Sequence, residues 1–270
     1  MSNKYNLEKF VQNDYGNYTT NINKNVIRVT EYIKPQKKSK KMMLKSVQLL
    51  NLIHKEFWNK VSKTDQKKLR KLEVPYNLNY TFKRRKKIKL YFEKVLRKKI
   101  RNTHTKNIKK IISKFDFLLD CAKKAKNLEN KNFFNKKTFT HNDFHPNNLI
   151  FDKKNNIILF DFDNIQYSQN FRCLYFFLLR FAFHKKKLNR KNFKIAFKII
   201  EKNYYLKIPN FAKSIEYTLF VELEKILKIL CRVSERNGLD IFIKKIIDVH
   251  LPNVLFLENL RKNEIQKSFK

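Results

Sequence analysis

The sequence predicts an α+β chain that is mainly helical, with short β-hairpins at two places. Three observations carry this. Only two glycines occur in 270 residues, beside 42% apolar residues, a balance that suits packed helices better than disorder. Long segments repeat their apolar residues at helical spacing. Two short apolar runs, residues 149–151 and 157–160, flank a polar turn at 152–156, which is the pattern of a β-hairpin.

Taken in order, residues 17–22 and 26–33 read as strands around a turn at Asn23, Lys24 and Asn25, with Gly16 supplying the turn before them. A helix is predicted from Ser39, a good N-cap, to about Trp58, with Met43, Val47, Leu50 and Phe57 on one face. His54 near its end reads as a packed histidine, a substrate contact being the alternative. A shorter helix over 64–72 ends before Pro75. Residues 81–106 are the densest basic run, and as a helix they set Ile88, Phe92 and Val95 against a face of lysines. Such a face is ordinarily solvated, and an RNA or phosphate polymer is its functional alternative. Residues 107–128 form the cleanest amphipathic helix, through Ile108, Ile111, Ile112, Phe115, Leu118, Leu119 and Ala122. After Ile165 the chain reads as helical to its end, with helices near 170–184, 189–204, 209–233 and 240–250, and Gly238 separating the last two.

The formal net charge of +39 would ordinarily suggest nucleic acid or an anionic membrane surface. The basic residues are mostly Lys, however, are spread along the chain, and accompany an excess of Asn, Ile and Phe, as AT-rich coding produces. Cys121, Cys173 and Cys231 are isolated in apolar helical patterns, so buried thiols are expected and neither a disulfide framework nor a metal site. The first ten residues lack an apolar signal core, and the run 174–183 is short and interrupted by Arg180. A cytoplasmic protein is expected, with no membrane segment.

The chemistry concentrates in residues 139–165. The segment His141-Asn142-Asp143-Phe144-His145-Pro146-Asn147-Asn148 precedes the first strand of the hairpin, and Asp161-Phe162-Asp163 follows the second. Folding the hairpin brings Asp143, Asn148 and Asp161 to one end of a small sheet. That set suits phosphoryl transfer, which needs a carboxylate to orient the attacking hydroxyl and hard oxygen ligands for the Mg²⁺ that bridges nucleotide phosphates. Asp143 fits the first role, Asn148 with Asp161 the second. The spacing of His, Asp, His and Asn, then the hairpin, then Asp-Phe-Asp resembles the signature of the aminoglycoside phosphotransferase and choline kinase-like family, and within it the spore-coat kinase-like proteins of Gram-positive spore formers. The resemblance implies the C-terminal lobe of a protein-kinase-like fold, ATP and Mg as cofactors, and a small-molecule hydroxyl acceptor. It also implies that His141 braces the loop and the Asp161 turn, that His145 supports from behind, and that Asp163 stands where protein kinases have Gly.

By the same resemblance, 1–34 is a partial nucleotide lobe and hinge, with Glu31, Tyr32 and Ile33 meeting the adenine, and 35–270 is a helical lobe whose long helix 107–128 buries its stripe against the catalytic hairpin. Two departures stand out. No glycine-rich loop precedes Gly16, and no lysine and glutamate there are marked as a pair. Cys173 occupies the place of an aspartate that braces the catalytic loop in relatives. Three readings follow: a small-molecule kinase, alone or completed by a separate nucleotide-lobe chain; a non-catalytic kinase-like assembly or spore-coat protein; and a basic nucleic-acid-binding protein. The last ranks lowest because no nucleic-acid module is recognised. Acids that would attract a cationic acceptor are scattered, Glu222, Glu224 and Asp240 among them, so a sugar or other neutral hydroxyl compound is as well supported as an aminoglycoside.

Overall fold

The computed structural model describes residues 10–11, 20–22, 25–27, 29–30, 39–71, 78–97, 102–126, 137–141, 143–151, 157–160, 166–184, 187–236 and 240–268. Near the N-terminus, β1 (Phe10–Val11), β2 (Thr20–Ile22), β3 (Asn25–Ile27) and β4 (Val29–Thr30) form two antiparallel pairs, β2 with β3 and β1 with β4. The hairpin predicted there is present. Its second strand does not run straight on, because Val29 and Thr30 pair with Val11 and Phe10. Two apolar residues in a polar leader do not announce such a strand.

Helix α1 (Lys40–Asn51) starts where its cap dictates: the Ser39 hydroxyl accepts from the Met42 N–H at 3.1 Å. Met42, Met43, Val47, Leu49 and Leu50 are buried along it, and a π-helical turn, Leu52–Phe57, carries the chain on to Lys60. Helix α2 (Lys63–Arg70) opens on Ser62, which accepts from the Asp65 N–H and donates to its carboxylate. The two helices expected over 81–106 and 107–128 are present with an earlier boundary, as α3 (Leu78–Arg97) and α4 (Asn102–Lys126), which pack on each other. Ile88 and Phe92 on one, and Ile108, Ile111 and Phe115 on the other, are all buried. Both stripes reach the same core, and helix-favouring lysines on either side blur the boundary between the two helices in a reading of periodicity.

Strands β5 (Lys137–Thr140), β6 (Leu149–Phe151), β7 (Ile157–Leu159) and β8 (Gln166–Gln169) follow. Then come α5 (Asn170–Ala182), the short pair β9 (Phe183–His184) and β10 (Lys187–Leu188), α6 (Arg190–Asn203), α7 (Phe211–Arg236), α8 (Asp240–Lys245), a π-helical turn Ile246–His250, and α9 (Leu251–Ser268). The stretch after Ile165 is therefore not wholly helical, and the last helix runs well past His250.

Helix α7, rather than α4, is the hub. It packs against α3, α4, α5, α6 and α9. From Ile215 to Leu227 it buries residues on nearly every side, Tyr217, Phe220, Leu223 and Ile226 among them, as a helix enclosed by other helices must. Among the described residues the stripe of α4 goes chiefly to α3 and α7, and the hairpin's strand β7 packs on α1. All three cysteines are free and buried, as their apolar settings predicted. Among the described residues no helix is long and apolar enough to cross a membrane.

Candidate active site

Two nested antiparallel ladders build the site. The outer pair, β5 with β8, aligns Thr140 with Gln166, and the inner pair, β6 with β7, aligns Leu149 with Leu159. The two ends of the segment that leads from outer to inner, His141 and Asn148, both meet the far end of the inner ladder. Phe160 ties them together: its N–H donates to the Asn148 carbonyl at 2.9 Å, and its carbonyl is hydrogen-bonded to His141 Nε2 at 2.7 Å. Asp161 and Asp163, like the hinge residues Glu31, Tyr32 and Ile33, lie outside the described residues. The outer ladder escapes a sequence reading because its strands are short and polar and 28 residues separate the hydrogen-bonded hydroxyls of Thr140 and Ser168. Such pairing is set by tertiary contact more than by local propensity.

The loop from His141 is a tight one. The Asp143 N–H donates to the His141 carbonyl, and the Asn148 N–H to the His145 carbonyl at 2.9 Å, closing the 3₁₀ turn Pro146–Asn148. Phe144, fully buried, pegs the loop into the core against Phe177, with ring centroids 5.2 Å apart. The peg leaves the neighbouring Asp143 facing outward, its side chain 28% exposed. Cys173 on α5 has its thiol against the backbone of His141, and burial pushes that thiol up to about 12. The group that Cys173 presents to the loop is thus neutral.

Around Asp143 the polar groups converge. The Asn148 amide nitrogen donates to the Asp143 carbonyl at 3.0 Å and reaches its Oδ2 at 3.4 Å. His145 Nδ1 accepts from the Asn147 N–H at 3.2 Å, which leaves the ring proton on Nε2, and Nε2 stands 3.2 Å from Asp143 Oδ2. On the other side, Lys225 of α7 brings Nζ within 3.9 Å of Asp143 Oδ1. Burial alone would raise the Asp143 carboxyl, but the His145 hydrogen bond, with the charge of Lys225 behind it, outweighs burial and holds the group at about 2. Nothing in the sequence marks Lys225, which stands 82 positions away on a helix whose pattern reads as core.

His54 is a packing residue. It is buried, its Nδ1 is hydrogen-bonded to the Tyr204 hydroxyl at 2.8 Å, and burial holds it down at about 3, so the ring is neutral. Its carbonyl accepts from the Thr138 hydroxyl at 3.2 Å, which fastens the end of α1 to β5. Among the described residues no three His, Cys, Asp or Glu side chains are grouped to hold a metal ion.

The family profile described as "Phosphotransferase enzyme family" matches residues 91–169. Among solved structures, a spectinomycin phosphotransferase in complex with ADP and spectinomycin superposes with a TM-score of 0.65 at 13% identity, covering 94% of this chain and 78% of that one. The chain has the fold of the kinase-like phosphotransferases. An ethanolamine kinase from Plasmodium vivax shares this phosphotransferase fold, with TM-score 0.57, 16% identity and coverage of 94% and 68%. So does an aminoglycoside phosphotransferase from Alicyclobacillus acidocaldarius, with TM-score 0.54, 12% identity and coverage of 96% and 77%. No curated protein matches the chain in sequence.

Proposed function

We propose that this chain transfers the γ-phosphoryl group of ATP to a hydroxyl of a small molecule. The observation that carries the reading is Asp143, outward-facing and ionised, hydrogen-bonded through Asn148 and His145 on a loop pegged by Phe144, within a phosphotransferase fold. The acceptor oxygen forms a bond to the γ-phosphorus, the bond from that phosphorus to the β-phosphate bridging oxygen breaks, and the hydroxyl proton passes to Asp143 and then to solvent. A carboxyl held at about 2 is a weak base. It therefore serves mainly to orient the hydroxyl, with the proton leaving late, as suits a loose transition state.

Asn148 and Asp161 are the residues assigned to Mg, which when bound neutralises phosphate charge. The donors fit a hard cation. The Asn148 amide nitrogen donates to Asp143, so the side-chain oxygen is the Asn148 atom assigned to the metal, and Phe160, which precedes Asp161 in the sequence, is hydrogen-bonded to both Asn148 and His141. His141 holds that join, and Asp163 follows two residues on. Glu31, Tyr32 and Ile33 are assigned to the adenine, residues 1–34 to the nucleotide side and 35–270 to the acceptor side, in the cytoplasm. The test is phosphorus NMR of the purified chain with Mg-ATP and a panel of hydroxyl compounds, beside Asp143→Ala. Acceptor-dependent ADP and a new phosphate ester, lost in the variant, are expected. Transfer unchanged in Asp143→Ala would sink the assignment, and none with any acceptor would favour a non-catalytic assembly protein.

A further inference from the structure

One face of α5 is fitted to the loop that carries Asp143. Cys173, Phe176 and Phe177 share that face by helical spacing, and each meets a different loop residue. Cys173 lies against the backbone of His141, Phe177 packs on Phe144 with centroids 5.2 Å apart, and Phe176 faces the His145 ring at 6.2 Å. Phe176 differs from the other two because a second helix meets it. Lys225 of α7 brings its Nζ 4.0 Å from the centroid of the Phe176 ring, a cation–π contact. The ring is buried, and α5 and α7 pack on each other, so this seat has little room to shift. Two groups seated on one ring thus flank one carboxylate. His145 Nε2 stands 3.2 Å from Asp143 Oδ2, which the Asn148 amide also reaches at 3.4 Å. Lys225 Nζ stands 3.9 Å from the other oxygen, Oδ1. Contacts on Oδ2 alone leave the carboxylate free to swing about that oxygen, and a cation beside Oδ1 opposes the swing. Burial first, then Arg180, presses the Lys225 ammonium down to about 8 against the pull of Asp143 and Glu222, which leaves it charged at neutral pH.

We infer that Lys225 and Phe176 are positioning residues for Asp143: seated on the Phe176 ring, the Lys225 ammonium holds the second carboxylate oxygen and fixes the orientation in which Asp143 meets an acceptor hydroxyl. The inference rests on the phosphotransferase reading for the hydroxyl, but the orientation is measurable without turnover. Three-bond NMR couplings from the Asp143 carboxyl carbon to its own backbone nitrogen and carbonyl carbon read the χ1 rotamer. They are measured on the full chain for wild type, Lys225→Met, Lys225→Arg and Phe176→Leu. Wild type and Lys225→Arg, which keeps a cation for the ring, should show one staggered state, and Lys225→Met and Phe176→Leu a mixture. The same proteins are then assayed by phosphorus NMR with Mg-ATP and the panel of hydroxyl compounds. In Lys225→Met, kcat should fall about tenfold or more while KM for ATP stays within about twofold, and Lys225→Arg should recover most of the loss. A single Asp143 rotamer retained in Lys225→Met, or a mixture already present in wild type, would overturn the inference. So would a raised KM with kcat unchanged, which would put Lys225 on the substrate itself. A wild-type rotamer that is released in Lys225→Met, with no phosphoryl transfer by wild type, would uphold the positioning and count against the phosphotransferase reading alone. Lys225→Met keeps the apolar stem and removes only the cation, so the comparison holds even where Phe176→Leu fails to fold.

Discussion

At the scale of single residues, Asp143 and Lys225 carry opposite linkage. The Asp143 carboxyl is held at about 2 in the folded chain against an ordinary 3.8, so it contributes stability that is fully present above the ordinary value and is lost as pH falls through the lower one. The contribution is on the order of 2 kcal/mol. Asp143→Asn should therefore narrow the stability gap between neutral and acid pH, read from urea midpoints across that window. Lys225 runs the other way. Its folded value of about 8 lies below the ordinary 10.5, so the unfolded chain binds the extra proton between those values and stability rises with pH across that range. Lys225→Met should melt no lower than wild type at neutral pH, its advantage fading toward high pH. A melting point well below wild type would mean that Lys225 holds the fold together. The tight loop that joins Asp143 to Asn148 was legible in the sequence because its spacing is local. Lys225 was not, because its role depends on how α7 lies against the loop.

At the scale of elements, the loop is a lever with two fixings. One is Phe144, fully buried against Phe177, and the other is the pair of hydrogen bonds from Phe160 to Asn148 and His141. Phe144→Ala should cost about 3–5 kcal/mol in denaturant unfolding. Because the same ring aims Asp143, it should also lower turnover beyond what the folded fraction explains. Ser39→Ala provides the contrast: the lost N-cap of α1 should cost about 1 kcal/mol and leave turnover per folded molecule unchanged. Equal effects of the two substitutions on specific activity would remove Phe144 from the positioning account. The sequence made the inner hairpin and most helices readable, since apolar period and caps act locally. It concealed β5 and β8, whose pairing is decided by partners distant in the chain.

At the scale of the whole molecule, helices gathered around α7 carry a small nested sheet, and the charge is spread over a phosphotransferase fold. The basic helix α3 buries Ile88 and Phe92 while Lys83, Arg85, Lys86 and Lys87 stand exposed, an arrangement that a solvated face explains. Retention on heparin should fall steeply with salt for a chain of this charge, whatever it recognises. Salt sensitivity is thus no test of function, and nucleotide binding is. The most direct measurement is calorimetric titration of the 270-residue chain with Mg-ATP, beside Asp161→Ala. Saturable binding that needs the metal and is lost in the variant is what a working phosphotransferase site predicts. Heat indistinguishable from dilution, or binding that Asp161→Ala leaves intact, would contradict it.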